Sequence, residues 1–282
     1  MLLRLLTYNI RRGGSGHEGA LAGVIRASKA DVVVLQEATR PEVVKRLAAE
    51  SGMEQHGSRP GESLGFLSRW TVRHFAWHKP RTSRHAFLEI QLPESEVRIF
   101  GVHLSAVHAA WTERRRTIEL RALLKAIAVH QHGFHVLTGD FNTLAPGELL
   151  DFRKLPRRLR ALVWLSGGNV RWRTIQIILD GGYVDAYRSL HQQVPGFTFP
   201  TWDPYVRLDY LFLPSLHRPA LRSCEILDVP GSREASDHLP LLTVVDVPGH
   251  PISHLPPSLA TLEPIELGDV GVDVLPGDDI HP

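Results

Sequence analysis

Short apolar runs of strand length recur through the first 246 residues, and six of them carry, at or beside an end, a residue able to hold a cation or move a proton. The runs cover Leu2 to Ile10, Asp31 to Gln36, Gly65 to Ser68, Thr71 to Trp77, Phe87 to Leu92, Val97 to Leu104, His135 to Thr138, Leu208 to Leu213, Ser223 to Asp228 and Leu241 to Val245. Their length and β-branched content predict strands. Helical spacing appears at His17 to Ser28, at Pro41 to Ser51 with proline suited to a first turn, and most clearly at Trp111 to His130. Strands and helices interleave in the first half and strands then come in groups, which predicts a mixed α/β sandwich rather than a strictly alternating barrel.

The six polar positions are Asn9 in LLTYNI, Glu37 in DVVVLQE, His103 in IFGVHL, Asp140 and Asn142 in HVLTGDFN, Asp209 in VRLDYLF, and Asp237 with His238 in SDHLPLLTVV. Each reads as the C-terminal end of a strand, and such ends open onto one crevice in α/β sheets. Several carboxylates with an asparagine make a hard oxygen site suited to Mg²⁺ or Mn²⁺. The histidines add proton handling near neutral pH. Taken singly, these residues have plainer readings: Asn9 as a turn cap, Asp209 as the ion-pair partner of Arg207, His103 as a satisfied core histidine. Taken together, acids gathered without a cation would repel one another.

On LTYNI, LQE, GDFN, RLDYLF and SDHLP, in that order from Leu5 to about Val245, the chain resembles the endonuclease/exonuclease/phosphatase superfamily. This is the fold of pancreatic deoxyribonuclease, abasic-site endonucleases, inositol-polyphosphate phosphatases and neutral sphingomyelinases. The resemblance implies a four-layer α/β sandwich of two packed mixed β-sheets flanked by helices, and in-line hydrolysis of a phosphate ester with Mg²⁺ or Mn²⁺ as cofactor. It implies Glu37 as metal ligand supported by Asn9, with Asp237 as a second or water-mediated ligand. Asp140 is implied as the group that orients and deprotonates water, with Asn142 holding that water or a phosphate oxygen. His238 would donate to phosphoryl oxygens with Asp209 fixing its tautomer, and His103 would be a further phosphate contact. Arg116, in TERRRTIEL, either reaches the phosphate or braces its helix. Trp202, in FTFPTWDPYVRLDYLF, is either a stacking platform for substrate or a core or lid aromatic. His17, His85, His108 and His191 belong to no motif and are left unassigned.

Charge divides the chain in two. Residues 247–282 hold six acids (Glu263, Glu266, Asp269, Asp273, Asp278, Asp279), seven prolines and no Lys or Arg, a tail behind a catalytic domain of residues 1–246. Removing those six from 30 acids leaves 24 against 32 bases, so residues 1–246 carry +8, which suits a phosphate-bearing or nucleic-acid partner as well as plain solubility. Phe152 to Leu179 holds seven bases and no acid at helical apolar spacing, predicting an amphipathic helix that packs on the body or contacts substrate or a membrane surface. That stretch keeps a second reading open, a phospholipid or sphingolipid phosphodiesterase or a phosphoinositide phosphatase. A third, a non-catalytic phosphate-binding module, would need the acidic cluster to have decayed. The lone Cys224 excludes an internal disulfide and a cysteine zinc site, and with no apolar run of membrane length the expectation is a cytoplasmic protein.

Overall fold

The computed structural model describes residues 1–93, 97–106, 110–128, 133–148, 154, 160 and 173–247. Twelve strands form two six-stranded sheets among these residues. The first contains β1 (Leu2–Asn9), β2 (Val32–Gln36), β3 (Gln55–Ser58), β4 (Leu64–Ser68), β11 (Leu221–Ile226) and β12 (Leu241–Asp246), in the order β11-β12-β1-β2-β4-β3. The second contains β5 (His74–His78), β6 (Phe87–Gln91), β7 (Arg98–His103), β8 (His135–Asp140), β9 (Tyr183–Asp185) and β10 (Asp209–Pro214), in the order β5-β6-β7-β8-β10-β9. Both are mixed: β1 pairs parallel with β2 and antiparallel with β12, and β7 pairs parallel with β8.

The period-2 alternation of strand side chains explains why the central strands read as unbroken apolar runs. From β1, Leu3 and Leu5 face inward with Val32, Val34 and Phe66, meeting Leu88, Ile90, Ile99, Val136, Leu211 and Leu213 of the second sheet. The alternate residues Leu6 and Tyr8 face outward with Val33 and Leu35, against α1 (Glu18–Ser28) and α2 (Pro41–Ser51). Phe100, Val102, Leu137 and Phe212 face outward from the second sheet, against α3 (Ala110–Ile127) and α4 (Arg173–Asp180). The result is the four-layer sandwich that the motifs imply. Each buried Leu, Val or Phe contributes about 1.5–3 kcal/mol.

Helix α2 follows its sequence signals, with Pro41 in the first turn and Gly52 closing the end at φ +70°. Two strands without an apolar run, β3 and β9, and two one-turn helices, α5 (Ala186–Leu190) and α6 (Ser232–Ala235), were not evident in the sequence. The glycine-rich loop after β1 is a tight 3₁₀ turn at Arg12–Gly14, in which Arg11, Arg12, Gly13 and Gly14 all take positive φ. The amphipathic helix expected over residues 152–179 lies largely outside the described residues, as does the tail from 248. Among the described residues no helix is long and apolar enough to cross a membrane.

One expectation about strand direction is corrected. Asn9, Glu37, His103 and Asp140 do stand at or just past the C-terminal ends of β1, β2, β7 and β8, but Asp209 opens β10, and Asp237 and His238 precede β12. Because β10 runs antiparallel to β8 and β12 antiparallel to β1, their starting ends lie at the same edge of the sandwich as the finishing ends of the parallel strands. All the motifs therefore reach one crevice.

Candidate active site

Strand register builds the centre of the site. Asp140 is the cross-strand partner of His103 in the β7–β8 ladder and of Asp209 in the β8–β10 ladder, so a single pairing pattern sets three ionisable side chains side by side. The preceding Gly139 has φ +147°, and a Cβ there would lie 1.9 Å from the Val102 carbonyl oxygen. Only glycine lets β7 and β8 approach this closely at the carboxylate.

Asp140 is buried, yet every contact it makes suits an ionised carboxylate. Oδ1 accepts the Asn142 backbone N–H at 2.8 Å, and Oδ2 accepts Nδ2 of Asn9 at 3.0 Å. Asn142 has φ +51°, a left-handed conformation that asparagine tolerates, and its own amide donates to the Leu104 carbonyl at 3.0 Å. Burial raises the Asp140 pKa and the Asp209 charge adds to the rise, outweighing the opposing pull of His238, the Asn142 N–H and the Asn9 amide.

His238 lies across the crevice, its Nδ1 bonded to Asp209 Oδ2 at 2.8 Å and its Nε2 3.8 Å from Asp140 Oδ2. Burial alone would lower its pKa, but Asp209 and Asp140 outweigh that and raise it, keeping the ring cationic. With Nδ1–H given to Asp209, Nε2–H is left to point at Asp140 and whatever binds beside it. Arg207, the alternative partner for Asp209, turns away: its guanidinium is bound to Asp185 and Glu148 and lies 4.4 Å over the Tyr210 ring. Asp209 is thereby left to serve His238.

His103 is not a satisfied core residue. It is 8% exposed, its Nδ1 has no hydrogen-bond partner among the described residues, and its Nε2 is 3.9 Å from Asp140. Burial, then proximity to His85 and His238, brings its pKa down to about 3, so it is neutral near pH 7.

Glu37, Asn9 and Asp237 form the more open side. Glu37 follows β2 with φ +56° and accepts the Arg12 N–H at 2.5 Å and Nδ2 of Asn9 at 3.3 Å. Asn9 both caps a turn, through Arg11 N–H to Oδ1 at 3.0 Å, and bridges the carboxylates of Glu37 and Asp140 with its amide nitrogen. Ser236 Oγ donates to the Asn9 carbonyl at 2.6 Å, which brings Asp237 alongside, and Arg11 Nε pairs with Asp237 at 3.2 Å. Three acids from distant parts of the chain therefore share one mouth.

The donor chemistry fits a hard divalent cation, and two sets of donors are candidates. Asp140, Asp209 and His238 bring ligand atoms within 4.8 Å of one another. A cationic histidine has no lone pair for a metal, however, and Asp209 Oδ2 is already engaged by its ring. Glu37 and Asp237 are accessible carboxylates beside polar groups, which is what a cation that retains water needs.

Arg116 is placed as a brace. It is 2% exposed, with Nη1 on the Ser105 carbonyl at 2.9 Å and Nε and Nη2 on Glu113, whose carboxylate also takes Thr143 Oγ1 and the N–H and hydroxyl of Thr174. Two neighbours escaped the sequence reading. His85, outside any motif, stacks on His103 with ring centroids 5.5 Å apart, and Phe199 lies 4.9 Å from the His238 ring. Neither has a local pattern that marks it; the TFP run ahead of RLDYLF was the one available cue for Phe199.

With this geometry in view, the sequence profile of the endonuclease/exonuclease/phosphatase family matches residues 6–238. The chain belongs to that family. Its members are hydrolytic phosphoesterases. The family fold recurs in a Neisseria 3′ phosphatase, NExo, bound to product DNA hairpin, with 17% identity, TM-score 0.64, and coverage of 86% of this chain and 99% of that one. It recurs in an AP endonuclease from Archaeoglobus fulgidus at 17% identity and TM-score 0.64, covering 87% of this chain and 100% of the other. An endonuclease/exonuclease/phosphatase from Beutenbergia cavernae has 22% identity and TM-score 0.61, covering 89% of this chain and 73% of its own. No curated protein sequence matches the chain.

Proposed function

We propose that the protein is a divalent-metal-dependent phosphodiesterase of nuclease-like type, hydrolysing its substrate by in-line attack of an activated water. The observation that carries this reading is the position of Asp140, a buried carboxylate bonded to Asn142 and Asn9 and facing a cationic His238 at 3.8 Å. A raised pKa brings a buried aspartate toward the range in which it takes a proton from water at neutral pH. Asn142 holds one amide hydrogen on Leu104 and has a second for the water or a phosphate oxygen.

His238 donates Nε2–H to a non-bridging phosphoryl oxygen, with Asp209 securing the tautomer and the charge. Neutral His103 offers a further donor on the β7 side. Glu37 and Asp237, with Asn9 in support, are the residues that would hold Mg²⁺ or Mn²⁺. When bound, the cation supplies charge neutralisation for the phosphoryl and leaving-group oxygens. The +8 charge on residues 1–246 favours a polyanionic substrate, and the DNA hairpin named with the Neisseria protein is the same chemical class.

The test is hydrolysis of bis-p-nitrophenyl phosphate in Mg²⁺, Mn²⁺ or EDTA. Activity is expected with either ion, none with EDTA, and none from a folded Glu37→Gln variant. Full activity in EDTA or in Glu37→Gln would overturn the assignment. The lipid reading rests on the basic stretch from Arg153 to Arg173, which lies largely outside the described residues, and no observation favours it. The binding-module reading needs a decayed cluster, and the motif acids all converge.

A further inference from the structure

One flank of α3 is uncovered among the described residues. Ile118, Arg121, Ala122, Lys125 and Ala126 recur at three- and four-residue spacing, so they share a face of the helix. With Pro80 and Thr82 they line a cavity of about 580 Å³. At Ala126 it meets a second cavity of about 270 Å³, which lies between the last turn of α3 and the outward face of β5, β6 and β7. Together the two form a groove with an apolar floor and a basic rim, in which Ile118 is 41% exposed.

Among the described residues the ion pairs of α3 are Arg115 with Glu119 and Arg116 with Glu113, which leaves Arg121 and Lys125 without an acidic partner. The two stand one turn apart, where like charges repel. The one acid on the groove wall, Glu89, is already taken by His78 and Arg98. A lining of this kind calls for a segment that alternates apolar and acidic residues and brings no base of its own.

The chain itself supplies such a segment: residues 262–270 read LEPIELGDV, four large apolar residues interleaved with three acids. The described body ends at Val247, whose N–H bonds the Met1 carbonyl and which packs in the same core cluster as Val97. Val97 precedes Arg98, which opens β7 and lines the smaller cavity. The tail therefore leaves at the edge of the sandwich away from the crevice, the edge at which the groove begins. Residues 248–261 can span up to about 45 Å when extended, against roughly 20 Å across one sheet and its helix layer. We propose that residues 262–270 dock in cis in this groove, with their apolar side chains over Ile118, Ala122 and Ala126 and their carboxylates on Arg121 and Lys125. The docking is independent of the chemistry at the crevice. A nucleic acid fits less well, since its phosphates would meet the rim and leave the apolar floor in water.

The test is hydrogen exchange of the full chain, read by mass spectrometry, in the wild type and in Arg121→Glu/Lys125→Glu. In the wild type the amides of residues 262–270 are expected to exchange roughly tenfold or more slowly than in a free synthetic peptide of the same sequence, and in the variant to return to the peptide rate. Adding Glu263→Lys/Glu266→Lys to that variant restores opposite charges across the groove and is expected to restore the protection. High salt is expected to weaken it in the wild type. Arg121 and Lys125 are both exposed, so an unchanged melting temperature checks that α3 is intact. Exchange at the peptide rate in the wild type, protection that survives the charge reversal, or no recovery on swapping the charges would overturn the proposal. So would protection that rises with protein concentration, which would place the segment in the groove of a second copy.

Discussion

Asn9, at the end of β1 in one sheet, donates its amide to Asp140, at the end of β8 in the other, over 3.0 Å and 131 residues of sequence. The bond stabilises the ionised carboxylate, so it opposes the burial that raises the Asp140 pKa. Replacing Asn9 by Ala removes a hydrogen bond to a charged group, a loss of about 1.5–3 kcal/mol, equivalent to about one to two pH units. The base form would then be populated only at higher pH. The acid limb of the kcat/KM profile of Asn9→Ala is expected to move upward by that amount, and an unmoved limb would show that this bond does not set the base.

Asp209 and His238 act as one unit through the 2.8 Å bond at Nδ1. Without the aspartate the histidine loses the charge that outweighs its burial, so its pKa falls and the cationic form is lost at lower pH. Asp209→Asn is expected to draw the basic limb of the pH profile toward neutrality. In a double-mutant cycle, removing both residues should cost little more than removing His238 alone. Multiplicative losses would separate the two.

Arg207 is fully buried, bonded to Asp185 at 2.9 and 2.6 Å and to Glu148 at 2.6 Å, and stacked on Tyr210. Arg207→Met keeps much of the volume but strips Asp185 of its guanidinium partner and leaves Glu148 with Arg188 alone. A loss of about 3–5 kcal/mol in urea unfolding is expected. A loss under about 1 kcal/mol would mean that the two acids find other partners.

Glu89 is held by His78 and Arg98 on the outward face of the second sheet, between the inward-facing Leu88 and Ile90 of β6. Burial would raise its pKa, but the two hydrogen bonds and the charge of Arg98 outweigh it and bring it down from 4.5 to about 2. A carboxyl depressed in the folded state contributes stability that is complete above its unfolded pKa and lost as pH falls through the folded value. Wild-type stability should therefore decline between about pH 4.5 and pH 2, and Glu89→Gln should flatten that slope while starting lower at pH 7. Denaturant midpoints measured across this window decide it; parallel slopes would remove Glu89 from the acid response.

The motif residues were legible because their chemistry is local: an acid or amide beside a β-branched run needs no knowledge of the partner strand. Glu37, Asp140 and His238 were identified this way, and Pro41 with Gly52 bounded α2. Strands β3 and β9 were not legible, since QHGS and YVD carry little apolar period and are held by pairing with β4 and β10. The direction of the Asp209 and Asp237 strands is not legible for a related reason, because a polar residue beside an apolar run looks the same at either end of it.

What the sequence determined by itself was the set of faces and the set of reactive groups, both written in spacings of two and of three to four residues. What the tertiary structure alone decided was who meets whom: Asn9 with Asp140, Arg207 with Asp185 rather than Asp209, Arg116 inside a brace, Trp202 out in solvent. Side-chain periodicity is a property of the local backbone, whereas these meetings depend on which strands pair and in which direction, and that is fixed by the packing of two whole sheets on a shared core.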